Sequence, residues 1–168
     1  MKRYILTGTP GCGKTSIIRA LEMTGASVVA EAATDIIAYK HMQGESAPWE
    51  KSDFIDDIIM LQKHRQIDMC FDYSDLHFYD RSPICTYALT VYLGFEPSIV
   101  LMNEIERIHK NNIYEKCIFF IENLGFITHT DARKISFEDS LRFEQVHLVS
   151  VLTQFDGHFS TINDGCYM

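Results

Sequence analysis

The residues with the clearest chemistry lie near the start of the chain, in the segment Gly8-Thr9-Pro10-Gly11-Cys12-Gly13-Lys14-Thr15. This segment matches the pattern G-x-x-x-x-G-K-[ST] at every fixed position. Glycines let backbone N–H groups turn inward around phosphates, and a helix that follows adds the positive end of its dipole. The pattern therefore predicts a loop that binds the phosphates of a nucleoside triphosphate, which we expect to be ATP with Mg²⁺.

The side chains of this loop have separate expected tasks. Lys14 would reach the β- and γ-phosphate oxygens as a mobile point charge, and Thr15 would offer its hydroxyl to Mg²⁺. Cys12 is expected to be a small filler of the loop, while a thiol made reactive by the helix N-terminus is the alternative. The predicted nucleotide-binding residues are Gly8, Gly11, Cys12, Gly13, Lys14, Thr15 and Ser16.

A second pair of charged residues, Asp80-Arg81, stands between a short apolar run and the helix-starting dipeptide Ser82-Pro83. In open α/β sheets, ligands bind at the carboxyl ends of the strands. Asp80 would hold a water of the Mg²⁺ shell or take a proton from a substrate hydroxyl, and Arg81 would clamp a phosphate or an acidic substrate. A structural surface ion pair is the alternative interpretation.

Further candidates stand after other predicted strands. Glu31 follows the second strand and is either another candidate base or a carboxylate that suits a helix start. Glu122 and Asn123 follow the fourth strand and are metal-shell or sensor candidates, or have no such role. The segment 123–138 is predicted to be a lid that carries Arg133, because phosphoryl transfer needs cations that arrive as a site closes.

The acceptor side of the predicted site is less sharply defined. Glutamine and arginine could recognise a base or amide edge, and tyrosine or tryptophan could stack on a ring. Aromatic residues at helical spacing pack in the core more often than they bind ligands. The candidates in the second and third helices and the loop between them are Asp35, Tyr39, Trp49, Gln62 and Arg65.

Strands and helices alternate along the chain and must position these residues. Strands are expected at 2–7, 27–30, 76–79, 116–121 and 157–162, and helices at 14–23, 32–42, 52–71, 82–94, 97–110 and 136–153. Ser52 and Ser136 are predicted to cap their helices, the latter with Asp139 in a capping-box arrangement. The alternation indicates an α/β fold with a five-stranded parallel sheet and helices on both faces.

Composition fits a single domain, taken as 1–168, in a chain of 168 residues. The net charge of −8 argues against non-specific binding of nucleic acid or an anionic membrane. No apolar run is long enough to span a bilayer. Five cysteines without a Cys-x-x-Cys pair suggest a reducing, cytoplasmic environment. Composition leaves the oligomeric state open.

The sequence resembles the NadR-like AAA domain group of small P-loop ATPases and kinases, which includes the nicotinamide-riboside kinase half of NadR and is similar in layout to deoxynucleoside kinases. The resemblance implies a sheet of order 2-3-1-4-5, ATP·Mg²⁺ binding, and Glu31 or Asp80 as the base or metal-shell group. It also implies Arg81 as a substrate clamp and Arg133 as a lid arginine. The runs that carry it are 5–15, 28–37, 78–83 and 131–139.

The expected function is a kinase that transfers the γ-phosphate of ATP to a hydroxyl of a small nucleoside-like acceptor. An ATPase that hydrolyses or senses nucleotide and reports to a protein partner is one alternative, and an idle nucleotide-binding module is another. The absence of Asn-Lys-x-Asp argues against a Ras-type GTPase, and the absence of Leu-Ser-Gly-Gly-Gln argues against an ABC ATPase.

Overall fold

The structure, a computed structural model, describes residues 1–69, 74–124, 136–154 and 158–162. The strands are β1 Lys2–Gly8, β2 Ser27–Val29, β3 Leu76–Asp80, β4 Cys117–Ile121 and β5 His158–Ile162. The helices are α1 Lys14–Met23, α2 Ala32–Met42, α3 Asp53–Asp68, α4 Pro83–Leu93, α5 Ile99–Lys110 and α6 Phe137–Gln154, with a 3₁₀ turn at Pro48–Glu50.

The five strands form one sheet in the order β2-β3-β1-β4-β5, and every neighbouring pair is parallel. On the central strand β1, Leu6 lies beside Asp80 of β3 and Gly8 lies beside Ile121 of β4. Because the strands are parallel, the segments that follow them leave the sheet at the same edge. The predicted α/β fold is confirmed, and the strand order is the one that the resemblance implies.

Successive residues of β1 point to opposite faces of the sheet, and each face has its own apolar cluster. Leu6 packs on the α1 face, with Cys12, Ile18 and Ile121. Burying one such aliphatic side chain contributes about 1.5–3 kcal/mol, so the two clusters hold helices to both faces. Ile5 belongs to the cluster on the other face, which α4 and α6 cover with Ile84, Ala88 and Val151.

Helix starts depend on local geometry as well as on residue type. Ser136 and Asp139 form the predicted cap: the Ser136 Oγ accepts from the Asp139 N–H at 3.0 Å and donates to the Asp139 carboxylate at 2.7 Å. Ser52 lies at the predicted N-cap position of α3, but its backbone is already helical and its side chain makes no capping hydrogen bond. Ser98 caps α5 instead of the predicted start at Pro97, since its Oγ accepts from the Leu101 N–H at 3.1 Å.

The end of helix α3 differs from its predicted position. Helix α3 ends at Asp68, short of the predicted residue 71; residues 70–73 lie outside the described part of the chain.

Within the four described ranges, no helix has both the length and the apolar content that crossing a bilayer requires.

Candidate functional site

The glycine-rich loop begins at Gly8, where β1 lies beside Ile121 of β4. Gly8, Gly11 and Gly13 all have a positive φ, of 144°, 92° and 85°. A Cβ added at Gly8 would lie 2.3 Å from the Ile121 carbonyl oxygen, so only glycine fits this crossing. Gly13 is the N-cap of α1, and the first turn of that helix offers backbone N–H groups that lack helical partners. The loop and helix start together form an anion-binding geometry.

The ammonium group of Lys14 lies against this loop. Lys14 is buried, and its Nζ donates to the carbonyl oxygens of Thr9 at 3.3 Å and Gly8 at 3.5 Å. The Cys12 thiol lies 3.9 Å from the same Nζ and is almost completely buried, as expected of a residue that fills the loop. By contrast, the two residues that follow Lys14, Thr15 and Ser16, are exposed at the helix start.

Glu31 and Arg81 meet at the same edge of the sheet. Glu31 follows β2 and is the N-cap of α2, whereas Arg81 directly follows β3. The Arg81 Nε donates to the Glu31 carboxylate at 2.6 Å, and the Thr34 hydroxyl donates to its other oxygen at 3.0 Å. Burial by itself would raise the pKa of Glu31, but Arg81, Lys14 and these hydrogen bonds outweigh it and lower that pKa. Glu31 is therefore an ionised carboxylate held in a defined orientation.

Arg81 has an unusual backbone for a residue with a side chain. Its φ is 70°, in the left-handed region, while its N–H donates to the Leu6 carbonyl at 2.9 Å. Its guanidinium lies 5.7 Å from the centre of the Phe143 ring on α6, a cation–π contact. Burial opposes the charge of Arg81, but Glu31 and Asp80 outweigh it and raise its pKa. A strained backbone that presents a fixed cation is a feature found at functional sites.

Asp80 is the one carboxylate of this group without a fixed partner. Its Oδ1 is buried and makes no hydrogen bond within the described ranges. Burial raises the pKa of Asp80, and Glu31 adds to that shift against the opposing effects of Lys14 and Arg81. Lys14, Glu31, Asp80 and Arg81 thus lie within electrostatic reach of one another, two cations beside two carboxylates.

After β4, Asn123 is hydrogen-bonded to α6. The Asn123 N–H donates to the Glu144 carboxylate at 3.1 Å, and its side-chain amide donates to the Ser140 hydroxyl at 3.1 Å. Burial, together with the nearby Glu122, raises the pKa of Glu144 against the effect of that hydrogen bond. A cavity of about 320 Å³ opens here, lined by Phe120, Glu122, Asn123, Phe137, Leu141, Glu144 and Leu148.

The five acceptor-side candidates do not form one cluster. Arg65 pairs with Asp35 and also donates to the Ala30 carbonyl at 2.9 Å, next to Glu31. Gln62 is buried between helices and accepts from the Thr86 hydroxyl at 3.0 Å. Trp49 packs edge-on against His41, and Tyr39 is half exposed. The structure thus brings Arg65 and Asp35 near the site but disperses the others.

Arg133 and most of the predicted lid, residues 125–135, lie outside the described part of the chain. The described ends of that segment show how it joins the domain. Asn123 is bonded to α6, and Ser136 caps that same helix.

Sequence reasoning missed the contribution of α6 to the site. Phe143 and His147 are one turn apart on this helix, and they contact Arg81 and Thr7 respectively. Thr34, which orients Glu31, was also missed. The only signal for the α6 residues is their spacing of four on one helical face, which ordinary core residues share.

A parallel sheet with a glycine-rich phosphate loop after its central strand, followed by the helix that carries Lys14, defines the P-loop class of nucleotide-binding proteins. Within this class, the chain belongs to the family AAA_28, described as an AAA domain, whose model matches residues 3–165. No curated protein shows a detectable match to the sequence.

Three solved structures with a similar fold illustrate the likeness. NadR protein in complex with NR has a TM-score of 0.59 and 16% identity, over 96% of this chain and 43% of that one. NadR protein with NAD and AMP-PNP has a TM-score of 0.57 and 18% identity, over 99% and 45%. Deoxyadenosine kinase from M. mycoides, with dCMP and dCDP, has a TM-score of 0.56 and 13% identity, over 95% and 89%.

The present chain spans less than half the length of the NadR structures and nearly the whole of the deoxyadenosine kinase. These likenesses concern the fold. The family match identifies a P-loop protein of the AAA_28 family, and its fold is the one seen in NadR and in the deoxyadenosine kinase.

Proposed function

We propose that this protein binds ATP·Mg²⁺ and transfers the γ-phosphate to a hydroxyl of a small nucleoside-like acceptor. The observation that carries the proposal is the meeting of Lys14, Glu31, Asp80 and Arg81 at the carboxyl ends of three adjacent strands. Phosphoryl transfer depends mainly on positioning and on charges that stabilise the transition state. Fixed cations and carboxylates around a phosphate-binding loop supply both.

ATP would lie with its phosphates in the loop at 8–15. Backbone N–H groups and the α1 N-terminus would bind the β- and γ-phosphate oxygens. The Lys14 ammonium, which lies over the loop carbonyls, would exchange those carbonyl contacts for phosphate oxygens. Because the β–γ bridging oxygen, which stays with ADP, gains negative charge as its bond to the γ-phosphorus breaks, this cation would stabilise the transition state more than bound ATP.

The oxygen groups available here suit Mg²⁺, which prefers hard oxygen ligands and keeps several waters. The Thr15 hydroxyl is exposed beside the loop, and the Asp80 Oδ1 is a buried oxygen with no partner among the described residues. Thr15 would bind the ion directly and Asp80 would hold one of its waters. The ion would neutralise charge on the phosphates. It would also give the Thr15 hydroxyl, and through a bound water the Asp80 carboxylate, a partner.

Glu31 would orient the acceptor hydroxyl. Its carboxylate is ionised, and Arg81 and Thr34 fix its direction. In a loose transition state the acceptor needs alignment more than early deprotonation, so a carboxylate of low pKa is adequate. This division of tasks makes Glu31 the acceptor-side base and Asp80 the metal-side group, with Arg81 as the clamp. Arg133 stays a prediction as the lid cation.

The charge pattern favours an acceptor without a phosphate group. Among the described residues, two arginines lie beside Glu31 and its neighbour Ala30, and both are paired with a carboxylate: Arg81 with Glu31 and Arg65 with Asp35. A phosphorylated acceptor would have to displace a carboxylate from one of them while ATP adds further negative charge. A neutral nucleoside-like hydroxyl compound meets no such conflict.

A nucleotide-sensing regulator is the second candidate, because the site contacts α6 through Arg81 and Phe143. Such a protein would bind ATP tightly and consume it at a rate that no acceptor changes. ADP release is therefore measured with nucleosides, nicotinamide riboside and small phosphorylated metabolites in turn. Acceleration by a nucleoside supports the kinase, whereas a uniform basal rate with a partner-dependent response supports the regulator.

Binding to the loop is tested first by calorimetry with ATP·Mg²⁺. Lys14→Ala removes a charge-assisted contact and is expected to weaken binding by about 2–3 kcal/mol without unfolding the domain. Arg19→Ala, an exposed cation on the same helix, is the matched control and should bind as the wild type does. Equal affinity of Lys14→Ala and wild type would remove the proposed nucleotide site.

A further inference from the structure

A buried histidine lies directly behind the phosphate loop. His147 on α6 is fully buried, and its Nε2 is 2.6 Å from the hydroxyl of Thr7, which is also fully buried. Thr7 immediately precedes Gly8, the first glycine of the loop. The two residues are 140 positions apart in the chain, so this hydrogen bond joins the start of the loop to the last described helix.

The surroundings of His147 keep it uncharged. Its ring packs against Phe120 and Phe143, with centroid separations of 6.0 Å and 5.3 Å. Burial, with added effect from the charges of Arg81 and Lys14, holds the pKa of His147 well below its usual range. A neutral imidazole offers one donor and one acceptor nitrogen, so it can satisfy the Thr7 hydroxyl in either direction.

Thr7 is placed where its side chain can steer the loop. Its backbone lies in the β1–β4 ladder beside Phe120, whereas the next residue, Gly8, already has a φ that only glycine adopts easily. The strand therefore turns into the loop immediately beyond the Thr7–His147 bond. One turn earlier on α6, Phe143 lies under the Arg81 guanidinium. The same helical face thus contacts both the strand residue that precedes the loop and the proposed clamp.

We propose that His147 is a positioning residue for nucleotide binding: its hydrogen bond to Thr7 holds the β1-to-loop junction in the geometry that accepts phosphate. This inference rests on the proposed function, because it assigns a support to the same phosphate loop. His147 touches no substrate and acts through Thr7. Losing the bond leaves the fold in place but lets the junction move.

The test is a double-mutant cycle on ATP·Mg²⁺ affinity and on stability. Thr7→Val and His147→Leu each leave one buried polar group without its partner, so each should lower the unfolding midpoint and raise the Kd about tenfold. The double variant leaves neither group unpaired, so its stability should recover toward wild type. Its Kd should stay about tenfold raised, because the bond that holds the junction is still absent.

Two further variants sharpen the cycle. His147→Gln can place an amide near the position of Nε2 and should keep the Kd within about threefold of wild type. Val151→Ala, on the same helix and fully buried in the core, should lower stability and leave the Kd unchanged. If His147→Leu does not fold, Thr7→Val and His147→Gln still decide the question.

Each result has one meaning. Raised Kd values that persist in the double variant support the positioning role. Unchanged Kd values in Thr7→Val and His147→Leu, or recovery of both affinity and stability in the double variant, overturn it and leave a purely structural hydrogen bond. Wild-type protein that binds no ATP·Mg²⁺ overturns the proposed function, and this inference with it.

Discussion

Two glutamate–arginine pairs in this molecule consist of the same residue types but have different surroundings. Glu31 and Arg81 share a single hydrogen bond at the carboxyl edge of the sheet, with Arg81 at a φ of 70°. Glu104 and Arg107 lie one turn apart on α5 and share two hydrogen bonds, of 2.9 Å and 2.7 Å.

The helix pair has further polar partners of its own, whereas the sheet-edge pair lies beside a carboxylate oxygen that has none among the described residues. Gln66 accepts from Arg107 at 2.7 Å, and the Lys63 ammonium lies 3.5 Å from Glu104. The sheet-edge pair adjoins the Lys14 cation and an Asp80 oxygen that has no hydrogen-bond partner in the described part of the chain, and its arginine backbone is strained by about 1–2 kcal/mol. Backbone strain and unpaired polar groups are retained mainly at functional sites, where a ligand can stabilise them. The different surroundings of the two pairs therefore indicate that the sheet-edge pair belongs to a binding site and that the helix pair is structural.

The largest expected effect is on turnover. Arg81→Ala removes a positioned cation from the proposed transition state and should lower single-turnover ATP consumption, with the best acceptor, by on the order of 10²-fold or more. Most ATP affinity should remain, because the loop and Lys14 are intact. Arg107→Ala should keep a rate within about twofold of wild type, since substitutions away from the reacting groups leave transition-state contacts in place. Similar losses in both variants would erase the distinction between the two pairs.

For stability we expect the opposite order, with a larger effect of Arg107→Ala than of Arg81→Ala. Arg107→Ala leaves Glu104, which is only 3% exposed, with a more distant Lys63 as its remaining cation. Removing one partner of a buried pair is strongly destabilising, so the free energy of unfolding should fall by about 3 kcal/mol. Glu31 is 29% exposed and keeps its Thr34 hydrogen bond, so Arg81→Ala should cost less.

Urea denaturation of both variants against wild type measures this difference. The double change Glu104→Leu and Arg107→Leu removes both charges and should recover part of the loss. Greater destabilisation by Arg81→Ala than by Arg107→Ala would show that the sheet-edge pair is the structural one.

The parts of the site that follow from local chemistry were predictable from the sequence. The loop from Gly8 to Thr15 was predictable because its glycines and its lysine are required at fixed spacing. Asp80 and Arg81 were predictable because a short apolar run and a cap-and-proline start bracket them. Strand alternation likewise indicated the parallel sheet, since each crossover helix needs a covered face.

Contacts between distant segments were not predictable in the same way. The Glu31–Arg81 bond joins residues 50 positions apart, and the Thr7–His147 bond joins residues 140 apart. No rule of sequence spacing predicts either pair, because the two residues of each pair meet only through the tertiary packing of β3 and α6. The missing capping hydrogen bond at Ser52 has a local cause: the residue type and position favour a cap, but the Ser52 backbone is already helical.

The smallest expected effect is a shift in one carboxyl titration. The pKa of Asp80 is raised by burial and further by Glu31, so Glu31→Gln should lower it toward its ordinary value. Carboxyl ¹³C NMR of the ligand-free protein measures that pKa directly. Glu104→Gln, which removes a carboxylate from the other pair, should leave the Asp80 titration where it is.

The sign for stability follows from the same shift. Because the folded-state pKa of Asp80 lies above its unfolded value, ionised Asp80 opposes folding at neutral pH, and this penalty disappears as pH falls through the raised pKa. The lowered pKa of Glu31 acts oppositely: its stabilisation is present above the unfolded pKa and is lost as pH falls through the folded one. In Glu31→Gln the Glu31 contribution is absent and the Asp80 penalty shrinks, so the loss of stability that Glu31 causes as pH falls should disappear. An Asp80 pKa that Glu31→Gln leaves unchanged would mean that the two carboxylates do not share one electrostatic site.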